Sequence, residues 1–298
     1  MTMSRPLAAF WSLPADPHLS GCREDRPTAG PPHVLRWSPP LRQRVLASPP
    51  QAGRVHAIFE RALNLLWHDG GLITLHGPAP LAAPFAAALT RLPAAGSLTP
   101  GAAVLWRDNR MLLGAFVLET GGGTLVDTTI PPTIEAPDLL LSALAAAAIP
   151  EVAPGLSSPR GRWAQRRLVG GIVHRNADTF LQGACGLIGL GEGLTPAGDD
   201  CLVGALAVLH RFAHSWMPAY PEIGSQIAAA ARAGTTMVGR DFILHALDGA
   251  VSESILHAVI ASSAHDARQA VAALARTGGT SGADTLHGMR IALEALSP

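Results

Sequence analysis

Two textures of apolar residue follow one another along the chain. From Gly53 to about residue 150 the apolar positions fall in short runs broken by turn residues. Leu72–Leu75, which follows Gly70-Gly71, predicts a strand. Ala103–Trp106, Met111–Leu118 and Thr124–Thr128 are separated by turn signals at Asp108-Asn109 and Gly121-Gly122-Gly123, and predict a β-meander. Leu81–Leu92 reads as a helix, and so does Leu139–Ile149, closed by Pro150. Later the spacing becomes helical throughout. Leu202–Phe212, Ile223–Ala233, Phe242–Leu247, Ser254–Ser262, Ala267–Ala275 and Leu286–Leu296 are Ala- and Leu-rich and separated by Gly, Pro or Ser. The predicted class is α+β, with an N-terminal mixed, β-rich part followed by a mostly helical C-terminal domain.

Proline and serine mark the expected boundaries. Residues 1–52 carry Pro31, Pro32, Pro39, Pro40, Pro49 and Pro50, and read as an extended arm with one short strand at Val34–Trp37. A second boundary is expected where Pro154, Ser157, Ser158 and Pro159 adjoin the cluster Arg160, Arg162, Arg166 and Arg167. The division read from the sequence is therefore an arm (1–52), a β-rich α+β domain (53–155), a linker (156–175) and a helical domain (176–298). The arginine cluster reads as a solvated linker face, with anion binding as the alternative.

Composition narrows the function classes. Apolar residues make up 48% of the 298 positions and charged ones 15%, which argues for a packed core rather than disorder. Lys+Arg and Asp+Glu balance at 22 each, so the chain has no general electrostatic claim on nucleic acid or an acidic membrane. The longest charge-free apolar stretch, Leu139–Ile149, is about half the length of a membrane span. The opening MTMSRPLAAFWSLPADP has three prolines and no sustained apolar region, so no signal peptide is expected. Cys22, Cys185 and Cys201 form neither a CxxC pair nor an even set, so no disulfide framework or zinc site is expected, and the location expected is cytoplasmic.

The densest chemical signal is GLIGLGEGLTPAGDDCLVG, Gly186–Gly204. Alternating Gly189, Gly191 and Gly193 allow positive φ and bring backbone amides close to a ligand. Thr195-Pro196 reads as a helix N-cap with proline at the first helical position, and places Asp199 and Asp200 in the first turns. A glycine loop feeding a helix N-terminus favours anions. A second segment, GGTSGADTLHG at Gly278–Gly288, shares G-x-D-x-L-x-G with the first: Gly198 with Gly282, Asp200 with Asp284, Leu202 with Leu286, Gly204 with Gly288. Glycine is 31 of 298 residues, so one match arises by chance about one time in ten, whereas four positions in register point to an internal duplication. Ser281-x-x-Asp284 also has capping-box spacing.

Each motif has a structural reading beside the functional one. An aspartate in a first turn stabilises a helix by about 0.3–1 kcal/mol, and Gly204 and Gly288 serve close helix packing. The two motifs together favour function, and they are expected to lie close in space with their carboxylates facing one cleft. The candidate catalytic residues are Asp199, Asp200 and Asp284. The candidate ligand-binding residues are Gly191, Gly193, Thr195, Gly198, Thr235, Thr236, Thr280, Ser281 and Gly282. Thr235-Thr236 reads equally as an ordinary helix cap, with Arg240-Asp241 beyond it. His210-x-x-x-His214 has metal-ligand spacing but no acidic third ligand, and Cys185 and Cys201 read as small buried hydrophobes.

GLGEGLTPAGDDCLVG, Thr235-Thr236 and GGTSGADTLHG together resemble the AllH-like (YlbF-type) family, whose pattern is GLGxGLTPSGDDxLxG with a late G-x-S/T-S-G-x-D. The likeness extends upstream through GRVHAIFERALNLL and GGLITLHG, from Gly53 to the C-terminus. Ala197 stands where the family has Ser, and Val238-Gly239 where a small hydroxyl residue is usual. The resemblance implies a subunit of an oxamate carbamoyltransferase of allantoin (purine) breakdown, which exchanges oxalurate and phosphate for oxamate and carbamoyl phosphate. It also implies AllF- (FdrA-like) and AllG-type partner subunits. The loop amides would then hold a carboxylate or phosphate, and the aspartates would accept from an –NH2 group or hold a cation such as Mg2+. Two alternatives stay open: a non-catalytic scaffold subunit of such a complex, and a free-standing metal-dependent hydrolase.

Overall fold

Among the described residues, short apolar runs separated by turns build a nine-stranded mixed sheet in the order β8-β7-β6-β2-β3-β4-β5-β1-β9. The computed structural model describes residues 31–94, 96–133, 137–213 and 220–297. It divides into two units, Met1–Asp127 and Thr128–Pro298. The strands are β1 (Val34–Trp37), β2 (Gln51–Ile58), β3 (Ala62–Trp67), β4 (Leu72–His76), β5 (Ala86–Leu89), β6 (Ala103–Arg107), β7 (Arg110–Leu113), β8 (Phe116–Glu119) and β9 (Thr124–Leu125). β4 is buried along its whole length and β3 nearly so, whereas β6 alternates Val104 and Trp106 inward with exposed neighbours. The sheet curls, and His33 ahead of β1 bridges Glu119 at the end of β8.

Three expectations are corrected in this unit. Leu81–Leu92 is not helical: Pro84 interrupts the run, and Ala86–Leu89 is a fully buried strand, parallel to β4 and antiparallel to β1. Sheet pairing overrides the helix propensity of alanine. The meander is split, because Gly114 (φ +60°) turns Met111–Leu118 into the β7–β8 hairpin, and β9 pairs parallel with β1 instead of continuing it. Residues 31–52 are not a loose arm. Pro39-Pro40 start helix α1 (Pro39–Leu46), where a missing N–H costs nothing, and Ser38 caps it while donating to the Pro84 carbonyl at 2.6 Å. The rest of the expected arm, residues 1–30, lies outside the described residues.

The second unit is helical: α2 (Asp138–Ala146), α3 (Pro154–Ser157), α4 (Pro159–Val173), α5 (Ala177–Leu187), α6 (Ala197–Phe212), α7 (Tyr220–Gly234), α8 (Met237–Leu247), α9 (Glu253–Ile260), α10 (Ala264–Ala275) and α11 (Ser281–Leu296). The stretch expected as a linker is helical. Ser158-Pro159, read as loop punctuation, is an N-cap with proline at N1, and Ala164, Leu168 and Ile172 carry one face of α4 into the core. α2 also packs in this unit, through Leu140, Ala143 and Leu144. At the centre lies α6, buried on all sides from Ala197 to Leu209.

The G-x-D-x-L-x-G pattern recurs as a repeated piece of architecture. The Leu190 N–H donates to the Leu187 carbonyl at 2.9 Å, and the Gly198 N–H to the Leu190 carbonyl at 2.8 Å. Thr277 donates to Leu274 at 2.9 Å, and Gly282 to Thr277 at 3.0 Å, in the same relation. Gly198 lies directly against the Leu187 carbonyl and Gly282 against the Leu274 carbonyl, so a Cβ at either would overlap the end of the preceding helix. α5–loop–α6 and α10–loop–α11 are thus two copies of one helix–loop–helix. They meet through the other glycine pair: Gly204 lies on the Thr285 carbonyl and Gly288 on the Cys201 carbonyl. Cys201 and Thr285 each follow the aspartate of their own repeat, so the contact is reciprocal.

Gly204→Ala or Gly288→Ala will force a methyl into the opposite backbone, and a loss of about 1–3 kcal/mol is expected from overpacking. Gly279→Ala, where a Cβ meets nothing within 4 Å, is the control. Thermal melts in which all three variants match the wild type would contradict the packing described.

Candidate functional site

The site is built where the two repeats start their second helices. In the first repeat, Gly191 and Gly193 hold φ of +117° and +98° and are exposed. A Cβ at Gly191 would lie 2.9 Å from the Ala197 nitrogen, so the loop folds tightly over the start of α6. Among the described residues no hydrogen bond engages the amides of Gly191, Glu192 and Gly193. Thr195 is not the cap that its sequence position predicts. The N-cap is Pro196, without a side-chain bond, and the buried Thr195 hydroxyl turns inward to donate to Asp200 Oδ2 at 3.1 Å. In the second repeat, Thr280 is the N-cap, also without a side-chain cap bond, so Ser281-x-x-Asp284 is not a capping box. The Ser281 hydroxyl lies 3.1 Å from that of Thr195. The two helix starts are therefore adjacent, as their common pattern predicts.

The three aspartates sit in different surroundings. Asp199 is 1% exposed, and both its oxygens are taken: Oδ1 accepts from the Gly189 N–H at 2.8 Å and Oδ2 from the Thr235 hydroxyl. It ties the glycine loop to the start of α8, where Thr236 is the N-cap and its hydroxyl donates to the Leu194 carbonyl. Gly239 has no side chain because Asp199 Oδ2 occupies the place of its Cβ. Burial pushes Asp199 up to about 6, against the pull of Thr235 and Gly189.

Asp284 acts on Asp200 as a neighbouring negative charge. Asp200 is pushed well up, first by burial and further by the negative charges of Asp284 and Asp199, although Ser281 and Thr195 donate to it. Asp284 is 0% exposed and is also raised by burial. Its Oδ1 accepts from the Ala153 N–H at 2.9 Å, the Thr280 hydroxyl also favours its charged form, and among the described residues its buried Oδ2 has no hydrogen-bond partner. Beside them Cys201, buried, has its thiol pushed up by the same desolvation and the two carboxylates, and so stays protonated.

Several neighbours carry no signal in the sequence. Ala153 contributes only a backbone N–H, and Gly155 of α3 packs on Gly191, its Cβ position lying 3.2 Å from the Gly191 Cα. Both come from the stretch bordering the expected linker. Gly239 was visible only as a departure from the family pattern. His210 bonds the Leu247 carbonyl at 3.1 Å, while His214 lies outside the described residues. The arginine cluster lines the exposed side of α4, with Arg167 6.0 Å from the Trp163 ring. A cavity of about 650 Å³ between α2 and α11 is lined by Leu141, Leu144, Ile149, Arg290 and Glu294, and holds none of the candidate residues.

Each Asp199 oxygen already accepts one hydrogen bond, so a cation such as Mg2+, commonly held by one or two carboxylates with waters and substrate phosphates, would meet chiefly Asp200 and Asp284. Among the described residues no group of three or more His, Cys, Asp or Glu is placed to hold a metal ion. Nor, among them, is any helix long and apolar enough to cross a membrane.

A curled mixed sheet followed by a helical unit, whose two glycine–aspartate helix starts converge on a buried carboxylate pair, defines an α+β class with a duplicated helix–loop–helix site. Within that class the chain belongs to the AllH family. The family model described as oxamate carbamoyltransferase subunit AllH matches residues 187–293, which hold the first motif from its second residue on and the whole of the second, and that of the AllH family N-terminal domain matches residues 34–125. The second match begins at β1, upstream of Gly53, where the likeness was expected to start. No curated protein and no solved structure matches the chain.

Asp199 generates a pH test. Its folded value of about 6 lies above the ordinary 3.8, so the folded chain binds a proton that the unfolded chain has released. The stabilisation is complete below 3.8 and is lost as pH rises through about 6, a swing on the order of 3 kcal/mol. The melting temperature is expected to fall between pH 4 and 7, and Asp199→Asn to flatten that fall. Parallel profiles for the two proteins would contradict the assignment.

Proposed function

We propose that this chain is the ligand-binding subunit of an oxamate carbamoyltransferase-like enzyme, taking a small ligand with one anionic end and one amide end. The observation that carries the reading is the pairing of an exposed loop with unengaged amides, Gly191–Gly193, and a buried carboxylate pair just behind it. Amides and helix dipole favour a carboxylate or phosphate on the loop. A negative group 4 Å from an ionised aspartate is opposed by about 4 kcal/mol at an effective dielectric of 20, so the anionic end stays on the loop. The end directed at Asp200 and Asp284 is then the one with N–H groups. Oxamate, oxalurate and carbamoyl phosphate all have this shape.

Asp199, with both oxygens occupied, acts in this reading as a positioning residue. Thr235, Thr236, Gly198 and Gly282 hold the backbone of the two repeats, and Thr195, Thr280 and Ser281 line the approach to the carboxylates. Family membership supports work within a multi-subunit enzyme, and AllF- (FdrA-like) and AllG-type proteins are the proposed partners.

So small a ligand, bound at about −1 kcal/mol per heavy atom, reaches only micromolar to millimolar affinity. Calorimetry at millimolar ligand is expected to show oxamate binding more tightly than oxalate. Oxalate binding as tightly as oxamate would mean that the carboxylates read no amide. Absence of binding even with the partner subunits present would favour the scaffold reading.

A further inference from the structure

A chain of hydrogen bonds runs outward from α4 to the surface of α11. Gln165 donates its amide N–H groups to the Leu156 and Gly161 carbonyls, at 2.8 and 3.1 Å. A carbonyl only accepts, so the Gln165 amide is fixed with its oxygen toward His287 Nε2, 2.7 Å away. His287 then donates from Nε2 and keeps Nδ1 as an acceptor, and Arg290 donates to it at 3.1 Å. Burial, and after it the Arg290 charge, hold the half-buried imidazole below its usual range, so it stays neutral in that tautomer. An exposed arginine ordinarily keeps its rotamer freedom; this one is held in place, and it stands at the rim of a cavity.

The cavity is the one between α2 and α11. Its volume of about 650 Å³ lies within the roughly 300–1,000 Å³ of small-ligand sites. Leu141, Leu144, Ala147 and Ile149 make an apolar wall, and Arg290 and Glu294 stand one turn apart on α11 as its two charges. Among the described residues these two form no ion pair, Glu294 engages no partner, and Arg290 uses a single N–H. A purely anionic ligand would meet Glu294, and a purely cationic one Arg290. A zwitterion with an apolar body satisfies both. The carbonyl end of α2, at Ala145–Ala147, borders the same space and favours a cation there.

We propose that this cavity is a second ligand site, for a small apolar α-amino acid. The carboxylate meets Arg290, the ammonium meets Glu294, and the side chain lies against Leu141, Leu144 and Ile149. None of the residues of the two glycine–aspartate helix starts lines it, so binding here is independent of the carbamoyl-transfer reading. His287 and Gln165 are positioning residues: they hold the guanidinium and do not touch the ligand.

Ligand-observed NMR titration of the full chain with L-leucine and L-phenylalanine is expected to show saturable binding with Kd below about 10 mM, the range open to so few atoms. 4-Methylpentanoate, which lacks the ammonium, and 3-methylbutylamine, which lacks the carboxylate, are each expected to bind at least about tenfold more weakly than L-leucine, the effect of one charge-assisted hydrogen bond. Arg290→Gln is expected to weaken L-leucine by a similar factor, and His287→Leu by a smaller one, because the arginine is then present but no longer held. Neither change should alter the binding of 3-methylbutylamine, which does not use Arg290; an equal loss for the amine would make the role of His287 merely structural and overturn its assignment. Ala145→Trp, at an exposed position facing the cavity, should fill the space and abolish binding with the circular dichroism spectrum unchanged. Failure of both amino acids to saturate the wild type overturns the site. So does L-leucine binding that survives both Ala145→Trp and Arg290→Gln, and an acid or amine that binds as tightly as L-leucine overturns the zwitterion assignment.

Discussion

The helical unit depends on two backbones meeting where neither helix has a side chain. Gly204 rests on the Thr285 carbonyl and Gly288 on the Cys201 carbonyl, one turn beyond Asp200 and Asp284. At ordinary helix separations of 8–10 Å the side chains between two axes would hold the first turns apart. With glycine at both crossings the first turns come together, and the aspartates they carry enter one desolvated space. The second glycine pair, Gly198 and Gly282, seats each helix start on the end of the helix before it. The repeated motif is thus a device for bringing two helix N-termini together, and the site follows from that.

Placing three acidic groups in this space costs desolvation at each, and the chain offsets it in different ways. Asp199 receives a backbone N–H and a hydroxyl, and becomes the tie between the glycine loop and α8. Asp200 receives hydroxyls from both repeats. Asp284 receives the Ala153 N–H and the influence of the Thr280 hydroxyl, and among the described residues its Oδ2 has no partner. An apolar residue in its place would avoid that cost, and buried polar groups left partly unsatisfied are expected where function needs them.

Much of this was legible in the sequence. The change from short apolar runs to helical spacing marked the α+β order, and the G-x-D-x-L-x-G match marked the duplication, because close approach demands glycine and leaves it at fixed spacing. Leu81–Leu92 was misread because its alanines are helix formers by propensity, yet small enough to sit in a fully buried strand after Pro84. Ser158-Pro159 was misread because the same dipeptide serves loops and helix starts. Thr195 was assigned to the helix cap on spacing alone, which does not show whether a hydroxyl turns to its own helix or to the carboxylate beyond. Ala153 could not be found at all, since its contribution is a main-chain N–H from a segment more than a hundred residues before Asp284.

The convergence of the two helix starts is the claim on which everything else rests, and a cross-link tests it most directly. Thr195 and Ser281 bring their hydroxyl oxygens to 3.1 Å across the two repeats. With Thr195→Cys and Ser281→Cys combined, mild oxidation is expected to join the two positions, seen as a linked peptide by mass spectrometry and as a melting temperature raised until reductant is added. A doubly substituted chain that folds with the wild-type circular dichroism spectrum, yet forms no bond between these positions, would contradict the account.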